Sequence, residues 1–491
     1  MYQQEYERWL AAELEDKDLK PELLSIQGID AEIQDRFAVE LEFGTAGLRG
    51  VLGAGTNRMN IYMVRKATQG LANYLNKQGG KKSVAISYDS RIKSDVFARE
   101  AARVLAGNGV KAYLYKELMP VPALSFATRH LHCDAGIMVT ASHNPAVYNG
   151  IKVFMEGGRD ADETLTAAFE GYIRELEGEP VETVPYEEGL AAGSIQLIDP
   201  MNDYIDSILK MVDAEAIRSR GLHVVLDPMY GVSKTALQTI LLTTRCDVEV
   251  IHERRDTLFG GRLPRRPTSS TLAGLTNYVE EHGCDIGIAT DGDADRLGVI
   301  DDKAEFLHPN KILVLLYYYL MRYRGWRGAA VRNLATTHLL DRIAEDFGRP
   351  ATRCPWALNM CLPKMVETGA IIGGESSGGL TVRGHIQGKD GIYAAALLVE
   401  AIAKTGRRLS ALWDENHAEI RCRRDGGTRF SFQQRRKDAH LQAADGGQTA
   451  AGIPLRDRQG QLHGRLQGVL QKRRLGHRAL FRHRAAAARV L

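Results

Sequence analysis

Short apolar runs rich in β-branched residues alternate along most of the chain with longer stretches of 3.6-residue period, the rhythm of strands and amphipathic helices. "SVAISYD" leads into the helical pattern "SDVFAREAARVLAGNGV", then "KAYLYKE" and "AGIMVTASHNP". A second round runs through "HVVLDPMYG", "VSKTALQTILLTT", "DVEVIHE", "STLAGLTNYVEEHGC" and "DIGIATDGD". A third has the helix "NKILVLLYYYLMRYRG", the strand "GAAVRNLAT" and the helix "HLLDRIAEDFG". Strands alternating with helices predict mixed α/β layers with largely parallel pairing, and three rounds predict three similar domains. Breaks in "EEGLAAGS" and "DDKAEFLHPN" place these at residues 1–194, 195–305 and 306–415, leaving 416–491 as a separate segment.

Length agrees, since 491 residues exceed what one core holds at roughly 100–200 residues per domain. With 44% apolar and 25% charged residues, the composition is that of a globular protein rather than a disordered one. There is no run of about 18 apolar residues, and "MYQQEYERWLAAELEDKD" reads as an acidic amphipathic helix rather than a signal peptide. Cys133, Cys246, Cys284, Cys354, Cys361 and Cys422 lie far apart without CxxC spacing, which argues against a disulfide framework or a zinc cluster. A cytoplasmic protein without a membrane partner is expected.

Candidate chemistry gathers where strands end, the place at which α/β folds collect ligands. In "DIGIATDGDADRLGVID" the carboxylates of Asp291, Asp293 and Asp295 stand at alternate positions after an apolar strand. In an extended segment they share a face, and Gly292 lets the backbone bend so that they converge. Such a cluster repels itself unless a cation sits in it, and oxygen ligands point to Mg²⁺ or Ca²⁺. A solvated acidic turn is the plain alternative. An EF-hand is excluded because its glycine position holds Arg296, its last ligand position holds Asp302, and strands flank the loop. In "IMVTASHNPAVYNGIKVF", Ser142 and His143 close another strand, with Lys152 ten residues beyond Ser142. Ser142 is a candidate nucleophile or phosphate carrier, although singly it reads as a turn former and His143 as a surface residue. "LEFGTAGLRGVLG" offers Arg49 in a glycine-rich loop suited to an anion. "GGESSGGL" sets Gly374, Glu375, Ser376 and Ser377 in a close-approach loop with acceptors for sugar hydroxyls.

"FGTAGLRG", "TASHNP" with "YNGIKV", "DGDADR" and "GGESSGG" stand in the order found in the α-D-phosphohexomutase superfamily, which the chain resembles over roughly residues 40–415. The resemblance implies domains arranged around a central cleft and a phosphoryl group carried on Ser142. It implies Mg²⁺ held by Asp291, Asp293 and Asp295, with the phosphorylated Ser142 completing its coordination. Arg49 and Arg296 then steady the phosphoserine, His143 and Lys152 are the acid/base candidates, and the loop Gly374–Ser377 reads the sugar hydroxyls. The implied reaction interconverts hexose 1-phosphate and hexose 6-phosphate through a bisphosphorylated sugar, which also activates the serine. Glucose comes first as substrate, with phosphomannomutase or phosphopentomutase activity next. Small-molecule sugar phosphates are the implied partners.

The family's fourth domain carries a phosphate-binding loop like "RFSGTEPLLR", which this chain does not contain as written. From Arg421 onward there are fifteen Arg and two Lys against four Asp and no Glu, so the tail carries about +13 and the body about −10. Reading the tail one base out of frame permits "NGGWVIARFSGTEPLLR" across "KRRLGHRALFRHRAAAARV". The opposite shift through "CPWALNMC" permits "VPVGFKHV", and would set the family's phosphate-contacting lysine at Asn359. We therefore read about Cys354–Cys361 and about Ile420 to the end as out-of-frame translation, so that a degenerate, poorly packed segment stands in place of the fourth domain. A nucleic-acid-binding tail is the competing reading. It lacks aromatic interleaving beyond Phe430, Phe432 and Phe481 and any recognition motif, so no nucleic-acid partner is expected. Loss of the loop makes a catalytically impaired sugar-phosphate binder the alternative to an active mutase.

Overall fold

The computed structural model describes residues 1–44, 47–176, 181–261, 266–349, 352–354 and 364–422. The reading of the tail beyond residue 422, and of Asn359, lies outside the described residues. Three sheets follow one another along the chain, flanked by helices, as the alternating pattern predicts. The first comprises β1 (Phe43–Gly44), β2 (Gly47–Val51), β3 (Ser83–Tyr88), β4 (Lys111–Tyr115), β5 (Ala135–Val139), β6 (Tyr148–Met155), β7 (Arg159–Asp160) and β8 (Ile195–Ile198). Its order is β1-β2-β6-β5-β3-β4-β8, with β7 beside β6. The second holds β9 (His223–Asp227), β10 (Asp247–Val250), β11 (Ile286–Thr290), β12 (Leu297–Ile300) and β13 (Phe306–Leu307) in the order β10-β9-β11-β12-β13. The third holds β14 (Ala330–Asn333), β15 (Thr352–Cys354), β16 (Ile372–Gly374) and β17 (Leu380–Val382) in the order β15-β14-β16-β17.

Each sheet has parallel strands at its centre, and every residue of β5 and β11 is buried, as expected of strands covered on both faces. Pairing is less parallel than the pattern suggests: β5–β6, β11–β12 and β16–β17 are all antiparallel. The connections 140–147, 291–296 and 375–379 explain this, because a parallel crossover needs about a dozen residues or more.

The boundaries drawn from composition need correction. Ile195–Ile198 pairs with β4 and belongs to the first sheet, so a break after 194 parts this whole strand from its sheet; the apparent linker is partly the helix Tyr186–Ala191. Phe306–Leu307 pairs with β12, so the second unit runs past 305, and the third opens with the helix Pro309–Arg322. The helix Leu409–Cys422 runs through the break at 415/416. A group of N-terminal helices, Tyr2–Ala11, Leu19–Ser25 and Asp30–Phe37, builds its own small core around Tyr6, Trp9, Leu23, Ile33 and Phe37. The helix Gly391–Thr405 is apolar nearly all round and buries almost its whole length in the largest core cluster. That pattern marks an interior helix. Among the described residues, no helix is long and apolar enough to cross a membrane.

Candidate active site

The three loops singled out in the sequence occupy the same place in three sheets. Ser142 and His143 lie between β5 and β6, the aspartates between β11 and β12, and Glu375, Ser376 and Ser377 between β16 and β17. Each turn uses one residue in the left-handed region: Ser142 at φ +52°, Ala294 at φ +63° and Gly378 at φ +100°.

Asp291, Asp293 and Asp295 are 0%, 0% and 4% exposed, and their carboxylates offer ligand atoms within 4.8 Å of one another. They converge through a turn rather than an extended segment, and the left-handed residue is Ala294 instead of Gly292. Gly292 is needed for space, since a Cβ there would lie 3.2 Å from the Phe259 ring and 3.5 Å from the Ser142 carbonyl oxygen. One oxygen of each carboxylate is engaged: Asp291 Oδ1 accepts the Arg296 N–H at 3.1 Å, while Asp293 Oδ2 and Asp295 Oδ2 accept from Lys152 Nζ at 2.6 and 3.2 Å. The other oxygens, Asp291 Oδ2, Asp293 Oδ1 and Asp295 Oδ1, are buried without a hydrogen-bond donor. Burial, then the charges of Asp293 and Asp295, push the Asp291 carboxyl well above its usual range. Burial opposes the charge of Asp295 too, but Lys152, Lys389 and Arg296 hold it below the ordinary carboxylate value. Three buried carboxylate oxygens without a hydrogen-bond donor, one per aspartate, fit a hard divalent cation such as Mg²⁺.

Ser142 is 1% exposed; its N–H donates to Thr140 Oγ1 at 2.8 Å, and its Oγ lies 3.2 Å from His143 Nδ1. A buried guanidinium that sequence reasoning missed fixes this loop. Arg91 donates to the carbonyls of Ser142 (2.6 Å), Asn144 (2.7 Å), Pro145 (2.9 Å) and Tyr148 (3.0 Å), and stands 5.1 Å above the Phe259 ring. Asp89, 3.3 Å from Arg91 Nε, accepts in turn from Thr140 and Ser94. The signal was present as "YDSR" just beyond β3, an acid and a base two apart at a strand end. Arg91→Met strands Asp89 without a counter-charge, and a loss of about 3–5 kcal/mol is expected. Urea denaturation reads it as a lower midpoint at unchanged slope.

The sequence matches the models for phosphoglucomutase/phosphomannomutase alpha/beta/alpha domains I, II and III at residues 40–179, 202–304 and 308–419. It is 31% identical over 375 residues to the phosphoglucomutase/phosphomannomutase of Thermococcus kodakarensis, covering 76% of this chain and 79% of that one. The chain belongs to the phosphoglucomutase/phosphomannomutase family. It is also 30% identical over 405 residues to the phosphoglucomutase of Staphylococcus epidermidis, covering 78% of this chain and 73% of that protein. A Thermus thermophilus crystal structure assigned as a phosphomannomutase superposes with a TM-score of 0.71 at 30% identity, covering 78% of this chain and 84% of that one. Members of this family are isomerases of the phosphohexomutase type, and the Asp291–Asp295 loop is this member's candidate magnesium site.

The remaining loops meet around that site. Arg296 forms an isolated bridge with Gly379, so the loop after β16 docks on the aspartate loop. Arg296 Nε is 3.7 Å from both Asp291 Oδ2 and Asp295 Oδ1, and its Nε and Nη1 are buried without a hydrogen-bond acceptor. Arg49, on β2, donates to Asn144 Oδ1 at 3.0 Å, its Nε likewise buried and unpartnered. Lys389, also missed in the sequence, lies 3.3 Å from Glu375 Oε1. Burial opposes the charge of Glu375, and Lys389, the Ser377 hydroxyl and Arg296 still hold its carboxyl below its usual range. Gly374 closes β16 in the core and Ser376 is half-buried. Burial, then Arg296, Arg266 and Arg49, push the His143 imidazole down to about 4. Burial opposes the charge of Lys152, but Asp293 and Asp295 raise its ammonium above the usual lysine value.

Proposed function

We propose that this phosphohexomutase-family chain interconverts hexose 1-phosphate and hexose 6-phosphate, with glucose the first substrate to try, through a phosphoryl group on Ser142 and a bisphosphorylated sugar. The observation that carries the reading is the set of orphaned oxygens on Asp291, Asp293 and Asp295 in a loop packed against Ser142. Mg²⁺ bound by those carboxylates would neutralise charge on the transferring phosphoryl. Arg49 and Arg296 present unpartnered N–H groups to the phosphate on Ser142. His143, neutral at physiological pH, takes the proton from the attacking sugar hydroxyl. Lys152, charged in the resting site, holds two of the carboxylates in place and is the candidate acid that returns a proton to the serine oxygen as the phosphoryl leaves. Gly374, Glu375, Ser376 and Ser377 supply the surface that reads sugar hydroxyls, and a sugar bisphosphate restores the phosphoserine when it is lost.

Relatives named phosphoglucomutase and phosphoglucosamine mutase support the reaction type, and a coupled assay of glucose 1-phosphate to glucose 6-phosphate tests it directly. Turnover with mannose 1-phosphate but not glucose 1-phosphate would reassign the substrate. Chelation of Mg²⁺ is expected to stop turnover reversibly. Asp293→Asn is expected to weaken Mg²⁺ binding by at least about tenfold to a hundredfold, measured by calorimetry on the full chain. The absent "RFSGTEPLLR" motif favours a second reading, an impaired enzyme that binds sugar phosphate and turns over slowly.

A further inference from the structure

A cavity of about 970 Å³ opens away from the site just described. Arg129, His130 and His132 lie ahead of β5, and Arg159 lies after β6, whereas Ser142 occupies the connection between these strands. The cavity is thus at the far end of both strands, roughly 15 Å along the sheet at about 3.3 Å per residue. Its volume is within the range of small-molecule sites, and it gathers residues from all three α/β units, the setting in which such sites are common.

Its charge is unlike that of the body. Arg129 and Arg159 are exposed, and neither has a carboxylate within ion-pair distance among the described residues. Among the described residues, Glu156 is the one acidic side chain of the lining. Arg129 is pre-oriented by a hydrogen bond from its Nη1 to the His385 carbonyl, which lowers the entropy lost when its remaining donors are engaged. His130 is held by stacking on Phe126, ring centroids 5.1 Å apart. Beside these cations, Phe126, Met211 and the largely exposed Val366 form an apolar wall. Fork-shaped donors next to an apolar wall suit a phosphate with a small carbon skeleton.

We propose that this cavity is a second anion site that takes a small organic phosphate, held by Arg129 and Arg159 with its carbon skeleton on Phe126, Met211 and Val366. The walls lead to the first site. Gln387 lines the cavity, and Lys389, two residues on, pairs with Glu375. Arg159 lines it as well, and the adjacent Asp160 is half-buried, within electrostatic reach of Lys389 and Lys152. Occupancy therefore stiffens residues 384–390 and, where the reading of Glu375 as a sugar contact holds, adjusts sugar affinity.

Calorimetry on the full chain with glycerol 3-phosphate and with inorganic phosphate tests the binding without any turnover. Arg129→Gln with Arg159→Gln is expected to weaken binding by at least roughly tenfold, as two charge-assisted contacts are lost. Arg49→Gln with Arg296→Gln should leave one saturable site intact. Tighter binding of glycerol 3-phosphate identifies an organic ester as the ligand, and equal binding identifies free phosphate. Unchanged affinity in the Arg129/Arg159 variant, its melting temperature being that of the parent, overturns the proposal, as does the lack of saturable binding of either probe to the parent. Hydrogen exchange of 384–390 should slow with glycerol 3-phosphate in the parent only. Equal slowing in the double variant, or none in the parent, overturns the coupling. None of these readouts depends on phosphorylation of Ser142, so they stand or fall apart from the mutase reading.

Discussion

Ser142→Ala is expected to lower mutase turnover by more than about a thousandfold, since in the proposed mechanism loss of the covalent nucleophile removes the route and not merely a contact. The hydroxyl is buried at a left-handed residue whose N–H and C=O are both engaged, by Thr140 and by Arg91. Alanine fits that space, and the variant should keep the fold and its Mg²⁺ affinity in the unphosphorylated state, because the three aspartates sit on a different loop. Steady-state assay beside Mg²⁺ calorimetry separates the outcomes. Lost turnover with retained metal binding fits a phosphoryl carrier, whereas loss of both points to a collapsed loop.

The second large effect concerns the segments read as out of frame. A chain re-encoded with "VPVGFKHV" at the interior break and a tail carrying "NGGWVIARFSGTEPLLR" is expected to turn over roughly a hundredfold faster than the chain as it stands. In the proposed reaction, contacts to the non-reacting phosphate would hold the sugar for transfer, and misplacement of a substrate costs rates of about that size. The gain should appear in kcat/KM for the sugar phosphate, with Mg²⁺ affinity unchanged. Equal kcat/KM for the two chains, both folded, contradicts the frame reading. High-accuracy DNA sequence across codons 350–365 and 415–491 examines the same point at its source.

Much of the fold was legible because period and strand length carry it. The runs "SVAISYD" and "HVVLDPMYG" became strands with parallel neighbours on both sides, and "DIGIATDGD" became a central strand parallel to β9 and antiparallel to β12. What misled was connection: β8 and β13 are four and two residues long, too short to show a period, and each pairs with the unit before the break that composition suggests. The aspartates were legible from spacing alone, but the turn that gathers them was not, since it hinges on Ala294 rather than on the available glycine. Arg91 and Lys389 were missed as site residues, although "YDSR" at the end of β3 carried a signal for Arg91. An isolated charge beyond a strand or in a loop reads as a solvated surface group, and only tertiary packing shows one clamping four carbonyls and the other paired with Glu375.

The most direct measurement is peptide mapping by mass spectrometry after the chain, with Mg²⁺, is incubated with a glucose bisphosphate. One phosphoryl group on the peptide bearing Ser142, formed in the parent and strongly reduced in Asp293→Asn, is the predicted result. Phosphoryl found on another residue, or on Ser142 at an undiminished rate once the aspartate cluster is broken, would contradict the pairing of this serine with a metal held by Asp291, Asp293 and Asp295.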